Sequence, residues 1–300
     1  MHLIVSRRGF ALSAGAFMAA GAFSIIHPAR AQSGADDALS RKFVEIEARL
    51  GARLGAAVLD TETGTRWSHR ADERFPLNST FKAFACAAVL ARVDRGEEEL
   101  NRRMVFHKSD LVTYSPVTEL RAAGEGMTVG ELCQAATAMS DNTAANLVLD
   151  SIGGPQGFTR FMRSIGDEAT RLDRWEPALN EAIPGDPRDT TSPNAIMESL
   201  RKLVLGTALS PGSRGQLESW LAGNQVGGPL LRAGLPESWG IADRTGAGGH
   251  GSRGIVAVIR PPGRQPVVAA IYITRTRAPM DARNAAIAEI GSTLATLIAN

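Results

Sequence analysis

The sequence has few cysteines, no excess of either charge, no repeats and no low-complexity tracts. It contains 33 basic and 31 acidic residues among 300, and removing Arg7, Arg8 and Arg30, which lie in an N-terminal export-type segment, leaves 30 basic residues against 31 acidic ones. This balance argues against nucleic acid as a partner, because nucleic-acid-binding proteins carry clustered positive charge. After residue 31 no apolar run is long enough to cross a bilayer. The length permits one large domain or two small ones.

The N-terminal segment is typical of an export signal. An apolar stretch from Phe10 to Ile26 leads to the small-residue site Ala29-Arg30-Ala31. Residues 1–31 are therefore predicted to be cleaved, which leaves a periplasmic chain that begins at Gln32 and has no stable membrane association. The block Ser6-Arg7-Arg8-Gly9-Phe10 resembles the twin-arginine signal, which an export translocase for folded proteins recognises. An ordinary export signal and an uncleaved anchor are the alternatives.

The two cysteines, Cys86 and Cys133, are the only candidates for a disulfide. Export would place them in a compartment where disulfides persist. A bridge would close a loop of about 48 residues and stabilise the fold by up to roughly 4 kcal/mol. We therefore expect a Cys86–Cys133 disulfide, with two buried free thiols as the alternative.

Strand signals lie near both ends of the chain, and helix signals fill the middle. Hairpins are predicted for segments 57–59 with 65–67, and for segments 255–259 with 267–274, because turn residues join each pair. Helix starts are indicated by the capping residues Ser79, Thr128 with Glu131, Ser192 and Ser210. Further helices are predicted over Ala38–Leu50 and Asp281–Ile298.

This order predicts an α/β lobe beside an all-α lobe. The α/β lobe would combine residues 32–78 and 222–300 into an antiparallel sheet with flanking helices, and residues 79–221 would form the all-helical lobe. A site is expected in the cleft between the lobes.

Ser79 and Lys82 are three residues apart at the start of a predicted helix, so their side chains share one face. A serine hydroxyl becomes a nucleophile when a neighbouring base takes its proton, and a desolvated lysine can be that base. Capping by the serine beside a surface lysine is the alternative. Farther along, Ser140-Asp141-Asn142 separates two predicted helices; it offers a proton carrier and an amide, or simply caps a helix.

Residues 171–191 lack apolar periodicity, and a loop of this length inside a compact domain usually has a function. Glu176 and Asn180 could hold a water between a carboxylate and an amide, while Arg174 and Asp189 are placed to pair at the neck of the loop. The alternative is a solvated loop of charged residues.

The last polar cluster, Arg244-Thr245-Gly246-Ala247-Gly248-Gly249, is predicted to lie just before a strand, where glycines permit close approach of a ligand. Arg244 and Arg253 would attract a carboxylate. A flexible turn is the alternative interpretation of this segment.

Together these clusters resemble those of class A serine β-lactamases, in which Ser-x-x-Lys is followed by Ser-Asp-Asn and a basic-Thr-Gly motif. The resemblance covers residues 32–300 and includes the runs 138–146 and 171–177. It implies the two-lobed serine β-lactamase/penicillin-binding fold and hydrolysis of penicillins and some cephalosporins by a monomer. No metal or organic cofactor is implied.

The resemblance also implies a role for each matching residue. Ser79 would form the acyl-enzyme, with Lys82 or Glu176 as its base, and Ser140 would protonate the departing nitrogen. The backbone N–H groups of Ser79 and Ala247 would form the oxyanion hole. The substrate contacts implied for the cleft are Tyr114, Asn142, Asn180, Arg244, Thr245, Gly246 and Arg253.

Arginine replaces the usual lysine of the third motif at position 244, which resembles the carbenicillin-hydrolysing subgroup, since a guanidinium can bind a carboxylate through two parallel hydrogen bonds. Asn78 and Gly248 occupy positions where some carbapenem-hydrolysing relatives carry a cysteine pair, which favours a narrow penicillinase. His250 is interpreted as an exposed loop residue, with a substrate contact as the alternative. A penicillin-binding transpeptidase and a non-hydrolysing sensor are the alternative functions. The transpeptidase lacks the deacylating Glu176 loop and the sensor lacks an effective water activator, so Glu176 in its loop argues against both.

Overall fold

A computed structural model describes residues 36–122 and 124–299. The predicted export signal and its cleavage site lie outside the described residues. Within those ranges no helix combines the length and the apolar character that crossing a bilayer requires.

The sheet is built from the two ends of the described chain. The strands are β1 (Arg53–Asp60), β2 (Arg66–His69), β3 (Phe75–Pro76), β4 (Arg103–Met104), β5 (Met127–Thr128), β6 (Thr190–Thr191), β7 (Gly240–Ala247), β8 (Arg253–Arg260) and β9 (Val267–Thr274). Five of them form an antiparallel sheet in the order β2-β1-β9-β8-β7. β8 and β9 are almost continuously apolar because side chains on both of their faces are buried. Both predicted hairpins are confirmed.

Helices fill the middle of the chain and flank the sheet. They are α1 (Asp36–Leu50), α2 (Phe81–Asp94), α3 (Val129–Ala138), α4 (Asn142–Ser151), α5 (Gly154–Ser164), α6 (Pro193–Val204), α7 (Pro211–Ala222) and α8 (Met280–Ala299). Short 3₁₀ turns span Asn78–Thr80, Lys108–Asp110, Thr118–Leu120 and Ala178–Asn180, and a wider helical turn spans Gly228–Arg232.

The helix starts predicted at Thr128, Ser192 and Ser210 are confirmed by their capping bonds. Ser79 lies in the turn before α2 but does not cap that helix, which begins at Phe81 without a side-chain cap. Thr128 accepts a hydrogen bond from the Glu131 N–H, and the Glu131 carboxylate accepts one from the Thr128 N–H. Ser192 Oγ accepts the Ala195 N–H at the start of α6, and Ser210 Oγ accepts the Ser213 N–H at the start of α7. Each serine stands before a proline in the first turn.

Two apolar clusters hold these layers together. One packs α1 and α8 against one face of the sheet, and the other packs the opposite face against α2, α3, α4 and α6. α2 runs through the second cluster, so the residues from Phe81 to Ala91 are all buried. A polar group on this helix, such as the Lys82 ammonium, is therefore held away from water.

The cluster 244–249 precedes the strand β8, as predicted, but its first four residues also form the C-terminal half of β7, a strand that the sequence did not indicate. Glycine, aspartate and arginine are poor strand formers, so the local sequence gives little signal. The strand is stabilised instead by pairing with the apolar strand β8, from Gly240↔Arg260 to Ala247↔Arg253.

The expected Cys86–Cys133 disulfide is not formed in this structure, which instead has the alternative arrangement of two free, buried thiols. The Cys86 thiol instead donates to the Cys133 carbonyl oxygen at 3.7 Å. Burial raises the pKa of Cys133 well above its usual value. Because the thiolate is the reactive form, this apolar setting disfavours oxidation.

Candidate active site

Ser79 lies in the helical turn that leads directly into α2. It is 8% exposed and lines a cleft, whereas the Lys82 side chain, one turn further, is fully buried. The turn places Ser79 at the positive end of α2, where developing negative charge is stabilised.

Lys82 is surrounded by polar groups from three segments. Its ammonium nitrogen donates to Asn142 Oδ1 at 2.6 Å and to the Ser140 carbonyl oxygen at 2.8 Å, and it lies 3.3 Å from Ser140 Oγ. Glu176 Oε1 is 3.1 Å from the same nitrogen, and both side chains are buried. Desolvation lowers the pKa of Lys82 to about 8, against the opposing charge of Glu176 and with the help of Arg244. Lys82 therefore gives up its proton more readily than a lysine in water, and the ammonium is still the main form at pH 7.

The Ser140-Asp141-Asn142 segment has a structural and a polar role. Asp141 is fully buried, caps α4 through the Ala144 N–H, and accepts the Thr118 hydroxyl and amide. The Asn142 amide is engaged at both ends, because its Oδ1 accepts from Lys82 and its Nδ2 donates to the Thr113 carbonyl oxygen at 2.8 Å. Only the second Nδ2 hydrogen remains for a substrate.

Glu176 is held by asparagines on both sides. Its backbone N–H donates to Asn146 Oδ1 at 3.0 Å, and Asn146 Nδ2 donates to its carbonyl oxygen at 3.1 Å. Asn180 Nδ2 donates to Glu176 Oε2, and the peptide bond to Pro177 is cis. Glu176 Oε1 is buried with the Lys82 ammonium 3.1 Å away as its charged neighbour, and Asn180 Oδ1 is a buried acceptor without a hydrogen-bond donor in the protein. The two side chains thus present neighbouring acceptors beside the Lys82 ammonium.

The predicted pair at the neck of the loop is formed. Arg174 Nε donates to Asp189 Oδ2 at 2.6 Å, and Asp189 Oδ1 accepts the backbone N–H groups of Asp173 and Arg174. Asp189 is 1% exposed. A buried carboxylate with several donors ties the two ends of the loop together.

Replacement of Arg174 by alanine should loosen this neck. We expect a loss of about 2 kcal/mol in the free energy of unfolding, because a buried carboxylate loses its cation. Arg188→Ala is the matched control, since Arg188 pairs with Asp186 at the exposed rim of the same loop. Urea unfolding of both variants measures the difference, and equal losses would contradict the assigned importance of the neck.

β7 approaches the nucleophile turn closely because position 246 has no side chain. A Cβ atom at Gly246 would lie 3.0 Å from Asn78 Cβ and 3.1 Å from both the Leu77 carbonyl oxygen and the Ser79 nitrogen. The edge of the sheet and the start of α2 therefore form one wall of the cleft.

The Arg244 side chain lies on β7 but is 1% exposed. Nε donates to the Ser79 carbonyl oxygen at 3.3 Å, and Nη1 donates to the Thr137 carbonyl oxygen at 2.7 Å and to Asn224 Oδ1 at 3.3 Å. Burial lowers the pKa of Arg244 to about 10, so the guanidinium stays charged at neutral pH. A carboxylate could form two parallel hydrogen bonds with Arg244 only by displacing one of these acceptors. This corrects the expectation from the sequence that the guanidinium is free to bind a carboxylate in that way.

Arg253 supplies a second cation to the cleft. Its Nε donates to Asn284 Oδ1 at 2.8 Å and its Nη1 donates to the Gly246 carbonyl oxygen at 3.2 Å. Burial lowers the pKa of Arg253 to about 10 as well. The two charged guanidinium groups favour a substrate with negative charge.

The cleft encloses about 320 Å³, which suits a small organic molecule. Its lining residues are Ser79, Tyr114, Ser140, Asn142, Asn180, Val226, Arg244, Thr245, Gly246, Ala247 and Arg253. Tyr114 is 53% exposed at the entrance. His250 is exposed on the β7–β8 turn and is not part of this lining.

Sequence reasoning assigned no role to Asn146 or to the groups behind Arg244. Behind Arg244, Asp243 is buried and accepts from Arg232 Nε at 2.7 Å and from Asn224 Nδ2 at 2.6 Å. An asparagine one helical turn after Asn142 was the available signal for Asn146. Nothing local marks residues 224 and 232, which only the fold brings to β7.

Within the described residues, histidine, cysteine, aspartate and glutamate form no group of three or more that could hold a metal ion.

Comparisons with known proteins all identify the same family. Residues 38–298 match the model of the beta-lactamase enzyme family. The chain is 58% identical over 253 residues to beta-lactamase AER-1 of Aeromonas hydrophila, which covers 84% of this chain and 83% of that protein.

Solved structures of similar proteins superpose on most of the chain. An ancestral (GNCA) class A β-lactamase is 59% identical with a TM-score of 0.85, over 86% of this chain and 99% of that one. The putative class A β-lactamase PenP from Rhodopseudomonas palustris is 53% identical with a TM-score of 0.85, over 87% and 99%.

Proposed function

We propose that this chain, which belongs to the β-lactamase enzyme family, uses Ser79 as its nucleophile. It hydrolyses β-lactams as class A members of the family do, and we propose that penicillins are its preferred substrates. The observation that carries this proposal is the buried contact of 3.1 Å between Lys82 and Glu176, one helical turn from Ser79. It supplies a base and a proton carrier beside a serine that faces the cleft.

In the acylation step Ser79 Oγ attacks the lactam carbonyl carbon. Because Lys82 is mostly protonated at neutral pH, we assign the base to Glu176, which takes the serine proton through a water. The backbone N–H groups of Ser79 and Ala247 stabilise the oxyanion. As the C–N bond breaks, Ser140 passes a proton to the ring nitrogen and is reprotonated from Lys82, whose ammonium lies 3.3 Å from its hydroxyl.

Deacylation uses the loop that carries Glu176 and Asn180. Glu176 first passes the proton it took from Ser79 to the neutral Lys82, 3.1 Å away, and so becomes a carboxylate again. Glu176 and Asn180 then orient a water, and the Glu176 carboxylate removes its proton as it attacks the ester carbonyl. The same proton returns to Ser79 Oγ when the ester bond breaks. The two asparagine bonds to the Glu176 backbone keep this base in place, which supports turnover rather than stable acylation.

Substrate recognition is proposed to depend on the paired cations. Arg244 and Arg253 attract the carboxylate that every penicillin carries and, in carbenicillin-type compounds, a second carboxylate on the side chain. Since Nε and Nη1 of Arg244 hold main-chain and amide acceptors, its direct contact uses Nη2. Thr245 and Gly246 present β7 to the ligand, Asn142 offers one N–H to the side-chain amide, and Tyr114 borders the entrance.

The Arg244→Lys substitution tests this assignment. We expect kcat/KM for carbenicillin to fall about tenfold more than kcat/KM for benzylpenicillin. A lysine ammonium cannot donate to the Ser79 and Thr137 carbonyl oxygens and also present a planar cation to the substrate. Steady-state kinetics with both substrates provide the measurement. Equal losses on the two substrates would contradict a special role in recognising the second carboxylate.

The substrate range itself can be measured with purified protein. We propose a narrow penicillinase, since Asn78 and Gly248 cannot form the cysteine bridge of some carbapenem-hydrolysing relatives. Rates for benzylpenicillin, carbenicillin, a chromogenic cephalosporin and imipenem, together with mapping of the acylated peptide, test the proposal. Rapid imipenem turnover would overturn the narrow range, and an adduct outside the Ser79 peptide would overturn the assigned nucleophile.

We also propose that the mature protein is a periplasmic monomer exported by the twin-arginine route. The Arg7-Arg8 block supports that route. The proposed lobe boundaries are 32–78 with 222–300 for the α/β lobe and 79–221 for the helical lobe.

A further inference from the structure

Asn78 is a buried polar residue that the mechanism above does not use. It immediately precedes Ser79, is 1% exposed and has a backbone φ of +43°. Asparagine is among the few residues other than glycine that adopt this left-handed conformation readily. The backbone of the nucleophile turn therefore favours asparagine or glycine at position 78, and the carboxamide must be explained separately.

The carboxamide connects the nucleophile turn to the β7–β8 turn. Asn78 Nδ2 donates to Ser252 Oγ at 2.9 Å, and Ser252 is fully buried. The Ser252 carbonyl oxygen accepts the Gly248 N–H at 3.3 Å, directly after Ala247 on β7. Asn78 adjoins Ser79, and the β7–β8 turn adjoins Ala247. The hydrogen bond between Asn78 and Ser252 therefore connects the two segments that carry the Ser79 and Ala247 N–H groups.

The same side chain fills the space between the two segments. A Cβ atom at Gly246 would lie 3.0 Å from Asn78 Cβ, and one at Gly248 would lie 2.5 Å from Asn78 Oδ1 and 2.4 Å from the Asn180 carbonyl oxygen. Asn78 therefore packs against glycines on both sides of Ala247. The carboxamide blocks a closer approach of the nucleophile turn to β7. Its hydrogen bond to Ser252 opposes a separation of the two segments.

Asn78 also keeps one polar atom unpaired. Its Oδ1 is buried and accepts no hydrogen bond from the protein. Such an atom lowers stability, and in a folded protein it points to a role other than stability. Glycine would permit the same backbone conformation without this cost, so the carboxamide is retained for what it contacts.

We propose that Asn78 is a positioning residue that fixes the spacing between the two oxyanion donors, Ser79 N–H and Ala247 N–H, through its bond to Ser252. This inference rests on the oxyanion hole assigned in the proposed function. Donors act on the oxyanion only within a narrow range of distances, so a small change in spacing is costly to the rate. The effect is on stabilisation of the transition state rather than on substrate binding.

Two single variants and their combination test the proposal. Asn78→Gly removes the carboxamide and keeps the freedom to adopt positive φ, whereas Ser252→Ala removes its acceptor without touching the nucleophile turn. We expect each to lower kcat for benzylpenicillin about 10- to 100-fold with little change in KM, and the double variant to be no worse than the poorer single one. Asn194→Ala, which removes a surface amide bonded to Asp72, is the matched control.

Phenylboronic acid gives a readout that a purely structural role would not change. It forms a tetrahedral adduct with a serine, so its Ki should rise by the same factor as kcat falls. Folded variants with lower thermal stability but unchanged kcat and unchanged Ki would overturn the proposal, as would losses that multiply in the double variant. If Asn78→Gly does not fold, Ser252→Ala alone decides. A wild-type adduct that maps outside the Ser79 peptide would instead overturn the proposed function.

Discussion

Glu176→Gln should acylate rapidly with benzylpenicillin and then remain acylated, with kcat lower by about 10²- to 10⁴-fold, the usual contribution of a general base. Glutamine keeps the size of the side chain and can still contact Asn180, but it cannot take a proton from the deacylating water. The product is therefore a covalent Ser79 adduct that accumulates to one equivalent.

Acylation survives in this variant because the lysine changes its protonation state. In the native protein the charge of Glu176 opposes the desolvation that lowers the Lys82 pKa to about 8. Removing that charge lowers the Lys82 pKa further, so a larger fraction of Lys82 is neutral at pH 7 and can accept the Ser79 proton. The acylation rate of the variant should consequently rise with pH through a midpoint below 8.

Mass spectrometry of the intact protein, together with stopped-flow kinetics, measures adduct formation and its rate. Glu181→Gln is the matched control, since Glu181 lies on the same loop but pairs with Arg174 at the surface. Turnover of Glu176→Gln at the native rate would contradict the role of Glu176 in deacylation. Loss of acylation together with deacylation would show that Lys82 cannot replace Glu176 as the acylation base.

Lys82→Met should behave differently, because it removes the group on which both steps depend. We expect kcat/KM for benzylpenicillin to fall by about 10²- to 10⁴-fold with no adduct accumulating. Ser140 loses its source of a proton, and Asn142 Oδ1 loses the ammonium that holds it at 2.6 Å. Acylation therefore becomes the slow step, whereas deacylation is the slow step in Glu176→Gln.

Pre-steady-state kinetics separate the two cases, since Lys82→Met should show no burst of product. Lys202→Met is the matched control, because Lys202 is only partly buried and donates to the Ile165 carbonyl oxygen outside the cleft. A stoichiometric burst in Lys82→Met would show that the lysine is dispensable for acylation.

Local signals in the sequence predicted the elements that local chemistry determines. The capping box at Thr128 and the serine caps at positions 192 and 210 fixed three helix starts, because a side chain three residues away satisfies the first free N–H groups. The two hairpins followed from turn residues between apolar segments. The motif order indicated a common site, and the structure brings Ser140 and Glu176 to Lys82 and lines one cleft with Ser79 and Ser140.

Features that depend on distant partners could not be predicted. Arg244 lies in a strand because β8 pairs with it, although its own segment has the composition of a turn. Its hydrogen bonds to Thr137 and Asn224 join parts of the chain that no spacing rule connects. The cysteines showed only that a bridge was possible, whereas the direction of each thiol inside the core is set by packing.

The register of the central strands has a consequence for the timing of folding. Arg53 on β1 pairs with Thr274 on β9, a separation of about 220 residues, and contacts so distant in sequence form slowly because a long loop must close first. During synthesis β1 cannot be completed by its partner until nearly the whole polypeptide has left the ribosome. The nascent chain therefore exposes the apolar faces of β1 and α1 for most of its synthesis, and chaperone binding in that interval is the expected safeguard against aggregation.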